Sequence, residues 1–245
     1  MAAASGSDHQ ASLDDHVTSA LARVRSRLAD LGQGRPIAVI AVTKGFGPEA
    51  VRAAVAAGAD GCGENYAQEL VDKARELDPL QPRWHFIGQL QRNKVRHLAP
   101  LVSVWQSVDR LALGAEIARR APGATVMVQC NLSGEEHKGG CTFAEVPGLA
   151  SALTDLGLRV SGLMGVAAAG PPESARPSFE RLVEVADELG LPERSIGMSG
   201  DYEVAVEAGA TVVRLGTVLF GQRSSVGAPR TGDDELPEQP DSVGQ

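Results

Sequence analysis

The chain has 245 residues, 43% of them hydrophobic and 22% charged, with a formal charge of −8 at pH 7. Such a composition belongs to a soluble globular protein with room for one α/β barrel or two small domains, and the negative charge opposes nonspecific attraction to nucleic acid or to an anionic membrane. Three cysteines, Cys62, Cys130 and Cys141, are odd in number and lack a CxxC spacing, which argues against a disulfide framework or structural zinc and for a reduced, cytoplasmic setting.

The opening stretch, MAAASGSDHQ, has neither a basic n-region nor a long apolar core, so it does not read as a signal peptide, and residues 1–10 are expected to be disordered. A helix is expected next over SLDDHVTSALARVRSRLADLG, with Ser12 or Asp14 near its start and Gly32 as its stop. Strand and helix patterns then alternate. The runs IAVIAVTK, DGCGEN, WHFIGQL, VSVWQSVD, TVMVQCNL, RVSGLMGV, SIGMSG and TVVRLGTVLFG read as strands, and the segments between them, such as PEAVRAAVAAGA, AQELVDKARELD and FERLVEVADELG, carry helical spacing. Eight β/α units predict a single (β/α)8 TIM barrel over residues 11–223, preceded by an extra helix. A doubly wound open sheet is the alternative, but KGFGPEA after the first strand is not a GxGxxG fingerprint. No run approaches the roughly 20 apolar residues of a membrane span. Residues 224–245, rich in Gly, Pro, Ser and acids, read as a disordered acidic tail.

In such a barrel, functional groups collect at the C-terminal ends of the strands, and phosphate often binds in the loops after strands seven and eight. IAVIAVTKGFG places an amine, Lys44, at the end of the first strand. A strand-end lysine commonly reaches into water; one held in a dry pocket can form a Schiff base. Ser199 and Gly200 close the seventh strand, with Asp201 as the expected N-cap of the next helix. Gly216 and Thr217 close the eighth, where the glycine allows close backbone approach and a short helix would aim its first amides at an anion. Val212, Arg214 and Gly216 share one strand face, so Arg214 is expected at the pocket mouth, either paired with an acid such as Glu64 or donating to a ligand. Lysine, phosphate cradle and arginine together suit pyridoxal 5′-phosphate (PLP), whose aldehyde takes a lysine and whose pyridine nitrogen takes Asp or Arg.

The motifs AVTK with Lys44, GENYAQE at 63–69, WHFIGQLQRNK at 84–94, GLMGV at 162–166 and GMSGDYEVAVEAGATVVRLGTVLFG at 197–221 resemble the pyridoxal phosphate homeostasis protein family, single-domain relatives of the alanine racemase N-terminal barrel. The resemblance covers about residues 10–223. It implies a cofactor-binding protein that buffers, carries or delivers PLP without established turnover. Lys44 stands where the family lysine forms the Schiff base. Ser199, Gly216 and Thr217 match the phosphate positions, Arg214 the arginine near the pyridine nitrogen, and Asn65, His85 and Met164 the pocket lining. Two departures lie beside the pocket: Gln89 stands where the family commonly has proline, and GFGPEA follows Lys44 where a lysine–proline pair is common.

Two enzymatic readings compete. An amino-acid racemase needs a second acid/base group opposite Lys44; in alanine racemases this is a tyrosine from a separate β-domain, whereas this chain has only Tyr66 and Tyr202 and is expected to act as a monomer. A Schiff-base aldolase more often draws its lysine from a late strand. Apo PLP-dependent enzymes are the expected recipients, and no metal is expected from His9, His16, His97 and His137, which lack ligand spacing. QRNKVRH reads as a solvated basic face, and Glu69 is expected to lie outside, on the helix after the second strand.

Overall fold

Alternating apolar strands can bury both faces only if helices cover the outside and side chains fill the inside. The computed structural model describes residues 3–135 and 139–222, and for residues 3–9 the backbone alone. Eight strands follow one another around a closed barrel: β1 (Ala38–Val42), β2 (Gly61–Glu64), β3 (Trp84–Phe86), β4 (Val102–Val108), β5 (Thr125–Asn131), β6 (Arg159–Val166), β7 (Glu193–Ser195) and β8 (Val212–Leu215). Every neighbouring pair is parallel, including β8 against β1, so the open-sheet alternative is set aside. The helices are α1 (Ala3–Gly32), α2 (Pro48–Ala56), α3 (Ala67–Glu76), α4 (Val95–Leu98), α5 (Leu111–Arg120), α6 (Val146–Asp155), α7 (Arg176–Glu188), α8 (Tyr202–Ala208) and α9 (Thr217–Phe220).

The period-2 alternation of the strands separates two apolar layers. Ile40, Val104, Met127, Met164 and Val212 meet inside the barrel. Val39, Ala41, Trp105, Val126 and Val213 face outward and join Leu70, Leu113 and Phe179 of the helices in the larger core. The extra helix α1 packs on α2, α8 and α9, so it covers the junction where the last β/α unit meets the first.

Three boundaries differ from the sequence expectation. The backbone of α1 already begins at Ala3, well before Ser12, since the alanine-containing residues ahead of it hold no proline to stop a helix. β7 is short, so most of SIGMSG forms the loop after it. The last apolar run splits at Gly216 into β8 and α9, because a Cβ there would stand 3.3 Å from the Val42 carbonyl and the chain must turn against β1. The expected tail at 224–245 and His137 lie outside the described residues.

Gly88, two residues after β3, fixes the loop that follows β2: a Cβ on it would stand 2.1 Å from the Asn65 carbonyl oxygen. Backbone on both sides cannot yield as a flexible side chain would. Gly88→Ala is therefore expected to destabilise the fold by about 1–3 kcal/mol, lowering the thermal midpoint by roughly 2–4 °C per kcal/mol. A melting curve superimposable on the wild type would show that this approach is not constraining.

Candidate functional site

The strand ends bring the expected residues to one end of the barrel. Lys44 stands two residues past the end of β1, after Thr43, and is half-buried. Asn65 follows β2, Ser199 lies in the loop after β7, and Gly216 and Thr217 follow β8, the neighbour of β1. Ser199 ties the last two loops together, since its Oγ accepts from the amides of Gly216 (3.2 Å) and Val218 (3.4 Å). Asp201 holds the N-cap position of α8, but its carboxylate turns back and accepts from the Met198 amide at 2.6 Å instead of capping the helix. That bond closes the 198–201 turn around Ser199. Gly197 has to be glycine: its φ is +93°, and a Cβ would meet Ala205 Cβ at 2.7 Å.

Arg214 points into the barrel, as the shared face with Val212 predicts. It is 3% exposed, and Glu64 is not its partner. Its Nη1 donates to the Ser195 carbonyl (2.6 Å) and to Ser195 Oγ (2.8 Å), and its Nη2 to the Gly165 carbonyl (2.8 Å). Burial pushes its pKa down to about 10, against a smaller upward pull from Asp201, so the group is still a cation at neutral pH. Glu64 instead bonds Lys73 and Thr43, in the wall between β1, β2 and α3. Burial raises its pKa, an effect that the Lys73 charge opposes.

From Arg214 a chain of hydrogen bonds crosses the barrel with a fixed direction. A guanidinium only donates. Ser195 Oγ therefore accepts from it and passes its own proton to Gln106 Oε1 at 2.7 Å, and Gln106 Nε2 donates to His85 Nδ1 at 2.7 Å. His85 is thus held as the Nε2–H tautomer, with that N–H buried against Gly61 and unpaired among the described residues. His85 sits inside the barrel as part of this relay, and Met164 lies in the apolar cluster beside it. Sequence reading passed over Ser195, Gln106 and Lys73. The signal was slight: a lone amide within the apolar run of β4, at the place where the β4–β5 register shifts. Bulges of that kind re-aim side chains. Glu69 was expected to lie outside, yet its Oε1 accepts from the Gly45 amide (2.6 Å) and from Lys73 (2.8 Å).

Together these groups offer an amine, converging amides and a buried cation within one barrel mouth, a donor set that fits a phosphorylated aldehyde bearing an aromatic nitrogen. Residues 19–224 match the family described as alanine racemase, N-terminal domain. A protein of Pseudomonas aeruginosa named pyridoxal phosphate homeostasis protein is 40% identical over 222 residues, covering 85% of this chain and 96% of its own. The Escherichia coli protein of the same name is 38% identical over 228 residues, covering 83% and 95%. Among solved structures, PipY of Synechococcus elongatus with PLP bound superposes with a TM-score of 0.71 at 31% identity, covering 84% of this chain and all of that one. The fold of Corynebacterium glutamicum alanine racemase is similar too, with a TM-score of 0.66 at 19% identity over 85% of this chain and 62% of that one.

The relay makes a prediction about acid. Burial, helped by Arg83, lowers the His85 pKa from 6.5 to about 3, and only the neutral ring can accept from Gln106. A depressed folded pKa on a base means stability that is complete above pH 6.5 and is lost as pH falls toward 3. His85→Gln should therefore lose less stability than the wild type between pH 7 and pH 4.5, by about 2 kcal/mol in urea unfolding. Equal losses in the two proteins would refute a neutral His85.

Proposed function

We propose that this chain, which belongs to the alanine racemase N-terminal domain family and within it to the pyridoxal phosphate homeostasis proteins, binds PLP at the strand ends of its barrel, holds it as a Schiff base on Lys44 and serves in PLP homeostasis as a carrier. The observation that carries this reading is the convergence of the Gly216 and Val218 amides on one oxygen, Ser199 Oγ, next to the strand whose end bears Lys44. Donors already focused on one oxygen suit a phosphate oxygen equally well.

Each residue has a role that follows from its chemistry. Lys44 supplies the amine. Ser199, Gly216 and Thr217 supply hydroxyls and amides for the phosphate. Arg214, fixed by Ser195 and Gly165, supplies a permanent donor for the pyridine nitrogen. Asn65 and Met164 line the pocket, and His85 supports Arg214 from within the barrel. When bound, PLP contributes a reactive aldehyde and an electron-accepting ring.

The carrier role is favoured over racemase chemistry on the same residues. Arginine does not surrender its proton, so the ring nitrogen beside it remains unprotonated and the ring is a poorer electron sink. The Tyr202 hydroxyl is turned to Glu203, 3.3 Å away, and Tyr66 is exposed at the start of α3. The Pseudomonas aeruginosa and Escherichia coli relatives carry homeostasis, and not an enzymatic activity, in their names. On this reading the protein works in the cytoplasm as a monomer and hands PLP to apo PLP-dependent enzymes. No helix among the described residues is long and apolar enough to cross a membrane.

Purified protein mixed with PLP is expected to show a visible absorbance band, and borohydride followed by peptide mass mapping should place a phosphopyridoxyl group on the Lys44 peptide. Lys44→Ala should lose that adduct, and Ser199→Ala should weaken PLP binding about tenfold, as expected for one lost phosphate contact. Transfer to an apo-enzyme without turnover of L- or D-alanine marks the carrier; racemisation marks the enzyme. Absence of band and adduct in the wild type sinks the PLP reading.

A further inference from the structure

The barrel wall behind Lys44 contains a second buried amine. Lys73, on α3 and 4% exposed, donates its three protons to the Thr43 carbonyl (2.7 Å), Glu64 Oε1 (2.6 Å) and Glu69 Oε1 (2.8 Å). The carboxylates extend the grip. Glu64 Oε1 also accepts from Thr43 Oγ1 at 2.6 Å, and Glu69 Oε1 accepts from the amide of Gly45 at 2.6 Å. Gly45 adopts a φ of +73°, a turn that a side chain would strain. The residues on both sides of Lys44 are therefore held, at the carbonyl before it and the amide after it, by one charged cluster anchored on α3.

Lys73 is poorly suited to react. An amine with all three protons committed to buried acceptors, two of them carboxylates, has no lone pair to offer a carbonyl. Its structural cost is also large, because three ionisable groups are taken out of water and each carboxylate keeps one buried oxygen, Oε2, without a partner among the described residues. A hydrophobic replacement would hold the wall together more cheaply. What such a replacement cannot do is fix two particular peptide groups by directed hydrogen bonds.

We propose that Lys73, Glu64 and Glu69 are positioning residues that lock the backbone around Lys44 and so set where its amine meets an aldehyde. This rests on the PLP reading above. The cluster acts on the carbonyl reaction and not on the phosphate cradle, which hangs from β7 and β8 on the other side of β1. Loss of the cluster should therefore separate two affinities that general damage would lower together.

Pyridoxine 5′-phosphate carries the ring and phosphate of PLP with an alcohol in place of the aldehyde, so it reports the cradle alone. Both ligands should be titrated into wild type, Lys73→Met, Glu69→Ala and Glu69→Gln, with folding checked by circular dichroism. Lys73→Met is expected to bind PLP about tenfold more weakly or worse, while pyridoxine 5′-phosphate changes by less than about twofold. Hydrogen exchange of the Gly45 amide should quicken in the same variant without any ligand. Glu69→Gln, whose amide oxygen still accepts from Gly45, should retain most of the PLP affinity. If Lys73→Met does not fold, Glu69→Ala, altered at a partly exposed side chain, carries the same comparison. A folded variant that binds PLP like the wild type, or loses both ligands equally, overturns the positioning role. A wild type with no borohydride-stable adduct on Lys44 overturns the PLP reading instead.

Discussion

A guanidinium inside a β-barrel is the constraint on which the rest of this structure depends. Moving a cation out of water costs several kcal/mol unless every donor finds an acceptor. Arg214 meets that cost with backbone, using the carbonyls of Ser195 and Gly165, and with one hydroxyl, Ser195 Oγ. Those acceptors orient the head group but do not cancel its charge. The hydroxyl is then obliged to donate onward, so Gln106 must present its oxygen to Ser195 and its nitrogen to His85. One charged residue on β8 thereby dictates the rotamers of side chains on β7, β4 and β3. Hydrogen-bond chains of this kind tend to rise or fall as a unit.

The second buried cation, Lys73, is treated in the opposite way. It has carboxylate partners in Glu64 and Glu69, so its charge is compensated where it stands and its hydrogen bonds are spatial restraints. The two solutions suit two places. Inside the barrel, under the mouth, the Arg214 charge, with no carboxylate bonded to it among the described residues, attracts an anionic ligand in a protein whose overall charge is −8. In the wall, Lys73 is paired with carboxylates, so it offers an anion no free positive charge, and its cluster can grip β1 without competing for that ligand. β1 lies between them, bonded to β8 on one side and β2 on the other, which makes the turn just past it a natural place for a reactive amine.

The barrel itself was legible in the sequence because short strand-like runs, several of them aliphatic, end at a glycine or polar residue and alternate eight times with helical spacing. The gathering of Lys44, Ser199, Gly216 and Thr217 at one end was legible for a related reason: in a parallel barrel, strand ends share one face, so position in the chain implies position in space. Boundaries were harder. TVVRLGTVLFG is largely apolar on both sides of Gly216, and its split there into strand and helix shows only in the structure. The relay was not legible, since Ser195 and Gln106 are 89 residues apart and each looks like a minor polar interruption. Lys73 drew no reading at all, and Glu69 was expected to lie outside, on the helix after the second strand. Only the packing of α3 on β1 and β2 turns that ordinary i, i+4 pair inward.

On the reading proposed above, Arg214 would stand at the ring nitrogen, and this has a consequence for a bound cofactor. A carboxylate there would favour the protonated pyridinium and strengthen the pull on electrons, whereas a guanidinium, never giving up its proton, leaves the nitrogen neutral. That placement would hold the ring without activating it further. The amides proposed for the phosphate are already organised around Ser199, and Lys44 rises from a backbone clamped on both sides. Preorganisation of this sort lowers the entropic cost of capture. On the proposed reading, capture with little activation suits storing and passing on a reactive aldehyde and is a poor basis for racemisation.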